Sequence, residues 1–225
     1  MKSLEDLLGC GLEEDHEPAI ALIRKWIASA SNDVEILPPA SNRDQILLDV
    51  QLSIFSTLGA VIYETGGLLV DHGWLRFLGS GTSSSDNNRL TRVISDWNNT
   101  RSDSFFLFAD DTVGGFFALN GGALGSDLGQ VYYWPPDSLV WEALELGYSD
   151  FLRWSLTEAT AEFCQDLRWD GWQEDVASLS GDQCFSFAPP LWTREGHIES
   201  SSRAVILAAE AFDVKMDMLA QLTSD

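Results

Sequence analysis

The segment spanning residues 105–154, FFLFADDTVGGFFALNGGALGSDLGQVYYWPPDSLVWEALELGYSDFLRW, limits the fold more than any other part of the chain. Its apolar runs at 105–108, 116–119 and 130–134 are parted by glycine-rich breaks. Short runs rich in aromatic and β-branched residues, separated by turns, fold as antiparallel strands. The glycines of Thr112-Val113-Gly114-Gly115 supply the backbone conformations such a turn needs. Pro135-Pro136 stops the third run, because proline has no N–H to give a ladder. Leu139-Val140-Trp141 is expected as a fourth strand, and Ser149 as the N-cap of a helix carrying Phe151, Leu152 and Trp154. This segment therefore predicts a β-meander followed by a helix.

The flanking chain supplies helices and a further hairpin. Ile20, Ile23, Trp26, Ile27 and Ala30 recur at three- and four-residue spacings after Pro18, the pattern of a helix with one inward face. Further helices are expected at 4–8 with Ser3 as cap, and at 44–52, 89–97, 158–167, 170–179 and 208–222. Strands are expected at 34–37, 68–71, 74–78 and 184–187, with Asp71-His72-Gly73 as a hairpin turn. Residues 53–65 fit either a helix or a strand. No repeat or linker divides the chain. The expected fold is a single α+β domain over residues 1–225, an antiparallel sheet flanked by helices.

Charge bounds the partners. There are 35 acidic residues against 13 basic ones, a formal net charge of −22. Such a surface repels phosphate backbones, which argues against nucleic acid. It serves either solubility or the steering of a basic protein partner. Its densest positions are Glu13-Glu14-Asp15, Asp110-Asp111, Glu142, Glu145 and Glu174-Asp175. No apolar run approaches the roughly 20 residues of a membrane span. The acidic N-terminus lacks the apolar stretch of an export signal, which predicts a cytoplasmic location. Cys10, Cys164 and Cys184 are odd in number and scattered, so free thiols are expected.

Several residues invite a chemical reading. Asp110-Asp111, ahead of a glycine turn, suits either a metal or acid–base pair or a solvated hairpin end. Adjacent strand residues point to opposite faces, which favours the hairpin end. Asp71-His72, with Glu64 nearby in sequence, could serve as the general base of a hydrolase, although no nucleophile is tied to it. His16 and His197 lack metal-ligand spacing, so neither metal nor cofactor is expected. GSGTSSS at 79–85 has a phosphate loop's composition without its Gly-Lys-Ser/Thr ending. Trp26, Trp97 and Trp154 match helical core faces. Trp134 and Trp192 sit beside Pro-Pro breaks and are the candidates for the rim of an exposed aromatic binding site.

Five motifs carry a resemblance: GAVIYETGGLLVDHGWLRFLGSG (59–81), GGFFALNGGALG (114–125), VYYWPPDSLVWEALELGYSDFLRWSL (131–156), LRWDGW (167–172) and FAPPLWTREG (187–196). Over roughly residues 36–196 the chain resembles an uncharacterised bacterial domain-of-unknown-function family. That family is distantly similar to the SMI1/KNR4, or SUKH, superfamily in its order of elements and glycine-rich strand region. The resemblance implies an α+β domain with an antiparallel sheet, acting as a non-enzymatic protein-binding module. It also implies immunity toward a toxin, here a basic one. It brings no catalytic residues. The alternatives are a hydrolase using Glu64, Asp71 or His72, and a small-ligand or glycan sensor using Trp134 and Trp192.

Overall fold

The computed structural model describes residues 1–9, 17–82, 90–101 and 104–223. Its body is a seven-stranded antiparallel sheet whose strands lie in chain order. They are β1 (Val34–Leu37), β2 (Gly67–Val70), β3 (Leu75–Leu78), β4 (Phe105–Asp111), β5 (Phe116–Asn120), β6 (Gln130–Trp134) and β7 (Glu142–Gly147). The meander read from the sequence thus runs through the whole sheet, and the α+β expectation holds. The helices are α1 (Leu4–Leu8), α2 (Ala19–Ala28), α3 (Arg43–Val50), α4 (Thr57–Glu64), α5 (Ile94–Arg101), α6 (Tyr148–Ser155), α7 (Ala159–Phe163), α8 (Trp172–Ala177) and α9 (Ala208–Thr223). A separate hairpin, β8 (Gln183–Ala188) with β9 (Ser202–Leu207), precedes α9.

Both faces of the central strands are covered, which is why β3 is buried at every position. On one face Phe77, Phe108 and Phe117 pack against Tyr148 and Phe151 of α6. On the other, Phe116 and Trp134 pack against Phe212 of α9, and Phe116 also stacks on Trp97 of α5. A β-bulge in β4 separates the two pairings Leu107–Ala118 and Ala109–Phe117. Phe108 is the residue with no partner in that ladder, and the strand twists there. A smaller apolar cluster gathers Trp74, Cys164, Trp169, Val176, Phe185 and Phe187 between the end of the sheet, α8 and β8.

Several boundaries move for physical reasons. The fourth strand of the central segment is 142–147, not 139–141. Trp141 instead turns back to stack on Trp134, with ring centroids 5.2 Å apart. Helix α6 starts at Tyr148 with Gly147 before it, so Ser149 is not its cap. The Ser149 hydroxyl bonds the Thr57 hydroxyl instead, at 2.7 Å. The ambiguous 53–65 segment is α4, capped by Ser56, whose hydroxyl accepts the Gly59 N–H at 3.1 Å. The helix expected over 89–97 begins only at Ile94. Strand β9 was not anticipated, because every residue in it but Ile206 is exposed and no apolar alternation marks it. Cys10, Glu13-Glu14-Asp15, His16 and most of the polar loop at 79–88 lie outside the described residues. Among the described residues, no helix is long and apolar enough to cross a membrane.

Candidate functional site

Helix α9 carries Ala211, Val214, Lys215 and Met218 at helical spacings of three and four, so they share one face. That face looks onto the β8–β9 hairpin, the loop after β8 and the Val113-Gly114 turn. Between them lies a cleft of about 290 Å³. Phe185, Phe187, Leu191, Trp192, Val214 and Met218 give it a largely apolar wall. Val214 is 48% exposed and Met218 37%, so the apolar face of α9 is only partly covered.

Lys215 lines this cleft, yet it is 2% exposed. Its ammonium donates to the Pro135 carbonyl at 2.6 Å and to the Trp134 carbonyl at 3.3 Å. It also lies 4.5 Å from the Trp134 ring centroid, a cation–π arrangement. No carboxylate among the described residues pairs with it. Burial pushes the Lys215 amine down to about 7, against the distant attraction of Asp111 and Asp137.

Trp134 does not form a rim. It is fully buried between Trp141 and Phe212, with its indole N–H unpartnered. A Pro-Pro break ends a strand, but it does not decide where the preceding side chain points. Trp192, by contrast, is half-buried and lines the cleft. Of the two tryptophans singled out in the sequence, the structure brings only Trp192 to a cavity wall.

Asp110 and Asp111 are not a solvated hairpin end, being 1% and 2% exposed. They leave β4 on opposite faces, as adjacent strand residues must. Asp110 accepts from Arg76 Nε at 3.0 Å and Nη2 at 3.1 Å, and from Arg92 Nη1 at 2.6 Å. Arg92 also pairs with Asp182. Asp111 accepts the Tyr133 hydroxyl at 2.7 Å and the N–H groups of Gly115 and Val113. Burial pushes its carboxyl up, against those hydrogen bonds. The same burial, with Asp111 beside it, drives the Tyr133 hydroxyl well above its usual range. Both carboxylates are committed to internal partners, and neither adds to the outer acidic surface.

The hairpin turn holds Asp71 and His72 as expected. Asp71 is tied to Arg168, whose guanidinium also lies over the rings of Trp74 and Trp172. His72 is exposed and meets the edge of Trp172. It lines a recess of about 360 Å³ whose wall mixes Asp33, Glu35, Arg76 and Gln173 with Leu69 and Val176. Glu64 lies at the other end of β2, paired with Arg43 at 3.6 Å, so it does not join Asp71 and His72. His197 lines another surface hollow, away from His72. Among the described residues, no three His, Cys, Asp or Glu side chains gather as a metal site.

The model of the family described as "Protein of unknown function DUF2625" matches residues 10–211. The chain belongs to this family. Beyond the DUF2625 match, the chain is 41% identical over 199 residues to an uncharacterised protein of Haemophilus influenzae strain Rd, covering 85% of this chain and 83% of the relative. It is 39% identical over 213 residues to the uncharacterised protein YbfG of Escherichia coli strain K12, covering 92% and 94%. The DUF2625 match spans every strand and Trp192, and ends at Ala211, four residues before Lys215.

Two buried charges of this DUF2625 member escaped the sequence reading. Lys215 had one signal, a lysine interrupting the apolar stripe Ala211, Val214, Met218. Arg76 had another, a charge inside the apolar run Trp74-Leu75-Arg76-Phe77-Leu78. A lone charge on a strand buried on both faces requires a buried partner.

Proposed function

We propose that this protein is a non-enzymatic binding protein whose ligand occupies the cleft between α9, the β8–β9 hairpin and Trp192. The observation that carries this reading is the cleft itself: apolar walls, one buried amine and a half-buried tryptophan. Ligand sites are built in this way, from a mostly apolar concavity with a few polar groups that fix orientation. Binding is favoured over catalysis because, among the described residues, no Asp, Glu or His lines the cleft beside Lys215. A separate acid and base with pKa values pushed apart is a common acid–base arrangement, and the cleft's described lining does not offer one. The general-base alternative is weakened in turn, since Asp71 is taken by Arg168 and Glu64 stands apart. The test is titration with the fluorescent apolar probe 1-anilinonaphthalene-8-sulfonate. Saturable binding at one site, abolished by Val214→Glu in a protein that still unfolds cooperatively, supports the reading. Absence of saturable binding to the native protein refutes it.

A second reading rests on a separate observation. Arg76, Arg92, Arg168 and Lys215 are turned inward, but Asp71, Asp110 and Asp111 are buried with them and Asp182 pairs with Arg92, so the surface keeps a negative excess close to the overall −22. Glu142, Glu145 and Glu174 remain exposed on it. We propose in this case a cytoplasmic module, SUKH-like in architecture, that captures a basic protein such as a toxin by electrostatic steering. The association rate of a captured basic partner should fall steeply between about 0.01 and 0.15 M salt, as the Debye length shortens from about 30 to 8 Å. A rate indifferent to salt would leave the acidity to solubility alone.

A further inference from the structure

Lys215 poses an electrostatic problem that its own chain does not solve. An ammonium has three N–H donors, and two carbonyl oxygens accept from this one. The third donor is buried with the rest of the side chain. The neighbouring carboxylates, Asp111 and Asp137, attract the amine without forming an ion pair. Asp111 is already held by Tyr133, Gly115 and Val113. A buried charge without a counter-ion is costly. Directly beside it lies the apolar cleft, and beneath it the indole of Trp134, whose N–H also lacks an acceptor.

We infer that the cleft takes a small organic acid, a single carboxylate on an apolar body, whose carboxylate pairs with the Lys215 ammonium. This rests on the cleft being a binding site and goes further by naming the ligand class. A carboxylate gives the third N–H an acceptor and gives the charge its counter-ion, while the apolar body covers Val214, Met218 and Trp192. A phosphate fits less well. It carries more charge and more acceptor oxygens, and a wall with one cation and little other polarity would leave them bare. A neutral ligand would fill the cleft but leave the ammonium as it stands.

The experiment compares octanoate and 3-phenylpropionate with octanamide and 3-phenylpropanamide, which keep the shape and remove the charge. Each is titrated calorimetrically into the full chain, at about 0.15 M salt and a pH below about 7 so that the ammonium is populated. The acids should bind about tenfold or more tightly than their amides, the range of a charge-assisted contact. Lys215→Met should erase that difference, and Lys215→Arg should restore part of it. Equal affinity of acid and amide for the native protein would overturn the carboxylate assignment while leaving the cleft as an apolar site. No saturable binding of any of the four would remove the cleft reading itself. An acid preference that survives in Lys215→Met would show that another group holds the anion. The acid–amide comparison needs no variant, so misfolding of Lys215→Met would not protect the inference.

Discussion

Arg76 and Asp110 stand directly opposite each other across β3 and β4, and their side chains meet as a two-pronged ion pair of which each partner is 2% exposed. Arg92 and Asp182 extend the pair into a balanced set of two positive and two negative groups. The set ties the sheet to the start of β8 and the turn ahead of it, since Arg76 also donates to the Gln183 carbonyl and Arg92 to that of Gly181. A one-residue slip between β3 and β4 would send one partner to the opposite face, so the pair also fixes register.

Asp110→Ala leaves Arg76 and Arg92 buried without their shared anion. Unpairing a buried ion pair costs about 3–5 kcal/mol. Urea unfolding should show the unfolding free energy lowered by that amount, through a lower midpoint at unchanged slope. A shift as small as that of an exposed pair, about 0–1 kcal/mol, would mean that water reaches the arginines.

Gly115→Ala tests the opposite face. A Cβ at this position would lie 2.1 Å from Asp111 Oδ2 and 2.6 Å from the Tyr133 hydroxyl. Forcing that hydrogen bond apart in a packed interior costs about 1–3 kcal/mol. The expected result is a lower melting temperature with Tyr133 displaced. The far smaller cost of an exposed Gly→Ala change would show that the turn relaxes around the methyl.

Lys215 makes stability depend on pH with a definite sign. Its folded-state value, about 7, lies below the 10.5 of a solvated lysine, so the unfolded chain holds the extra proton between them. Stability therefore rises with pH across that window, and the penalty of burying the ammonium is fully present below about 7. Lys215→Met removes this dependence. The variant's stability relative to the native protein should fall by a few kcal/mol as pH rises from about 7 toward 10.5. The carbonyls of Pro135 and Trp134 lose a donor in the variant at every pH, so that cost cancels in the comparison. A difference flat with pH would show that the amine keeps its ordinary value.

Cys164 and Cys184 are free and buried, and burial pushes both thiols up to about 12. Thiolate is the reactive form, so neither should react with a thiol reagent in the native protein at neutral pH. Both should react once the chain is unfolded without reductant. Rapid native labelling of either, located by peptide mapping, would place it at the surface.

The sheet was legible because its central strands are short apolar runs with glycine or proline at their ends, a local signal. Strand β7 was missed because Trp141, the residue that looked most like a strand, is spent on stacking against Trp134, while Glu142–Gly147 carries two glutamates and no β-branched or aromatic residue. Of the proposed cleft, the sequence showed only Trp192. Its decisive group, Lys215, meets Pro135 across 80 residues, and Arg92 meets Asp182 across 90. Neither separation leaves a spacing to read. Trp134 and the Asp110-Asp111 pair were assigned to the exterior because turns are usually wet. Here the hairpin β8–β9 and α9 close over one face and α6 over the other.

Ordinary alternation parts the two adjacent carboxylates, and the bulge at Phe108 sets their phase relative to Leu107. Strict alternation from Leu107 would send Asp110 toward α6 and Asp111 toward Arg92. The supernumerary residue acts as a frameshift: Phe108 and Ala109 both fall on the α6 side, and everything after them changes phase. An aromatic ring is added to the core without occupying a rung of the ladder. Taking residue 108 out altogether would close the ladder from 107 to 109 and leave each carboxylate on the face it now occupies, so the strand carries its charge pattern independently of its spare ring.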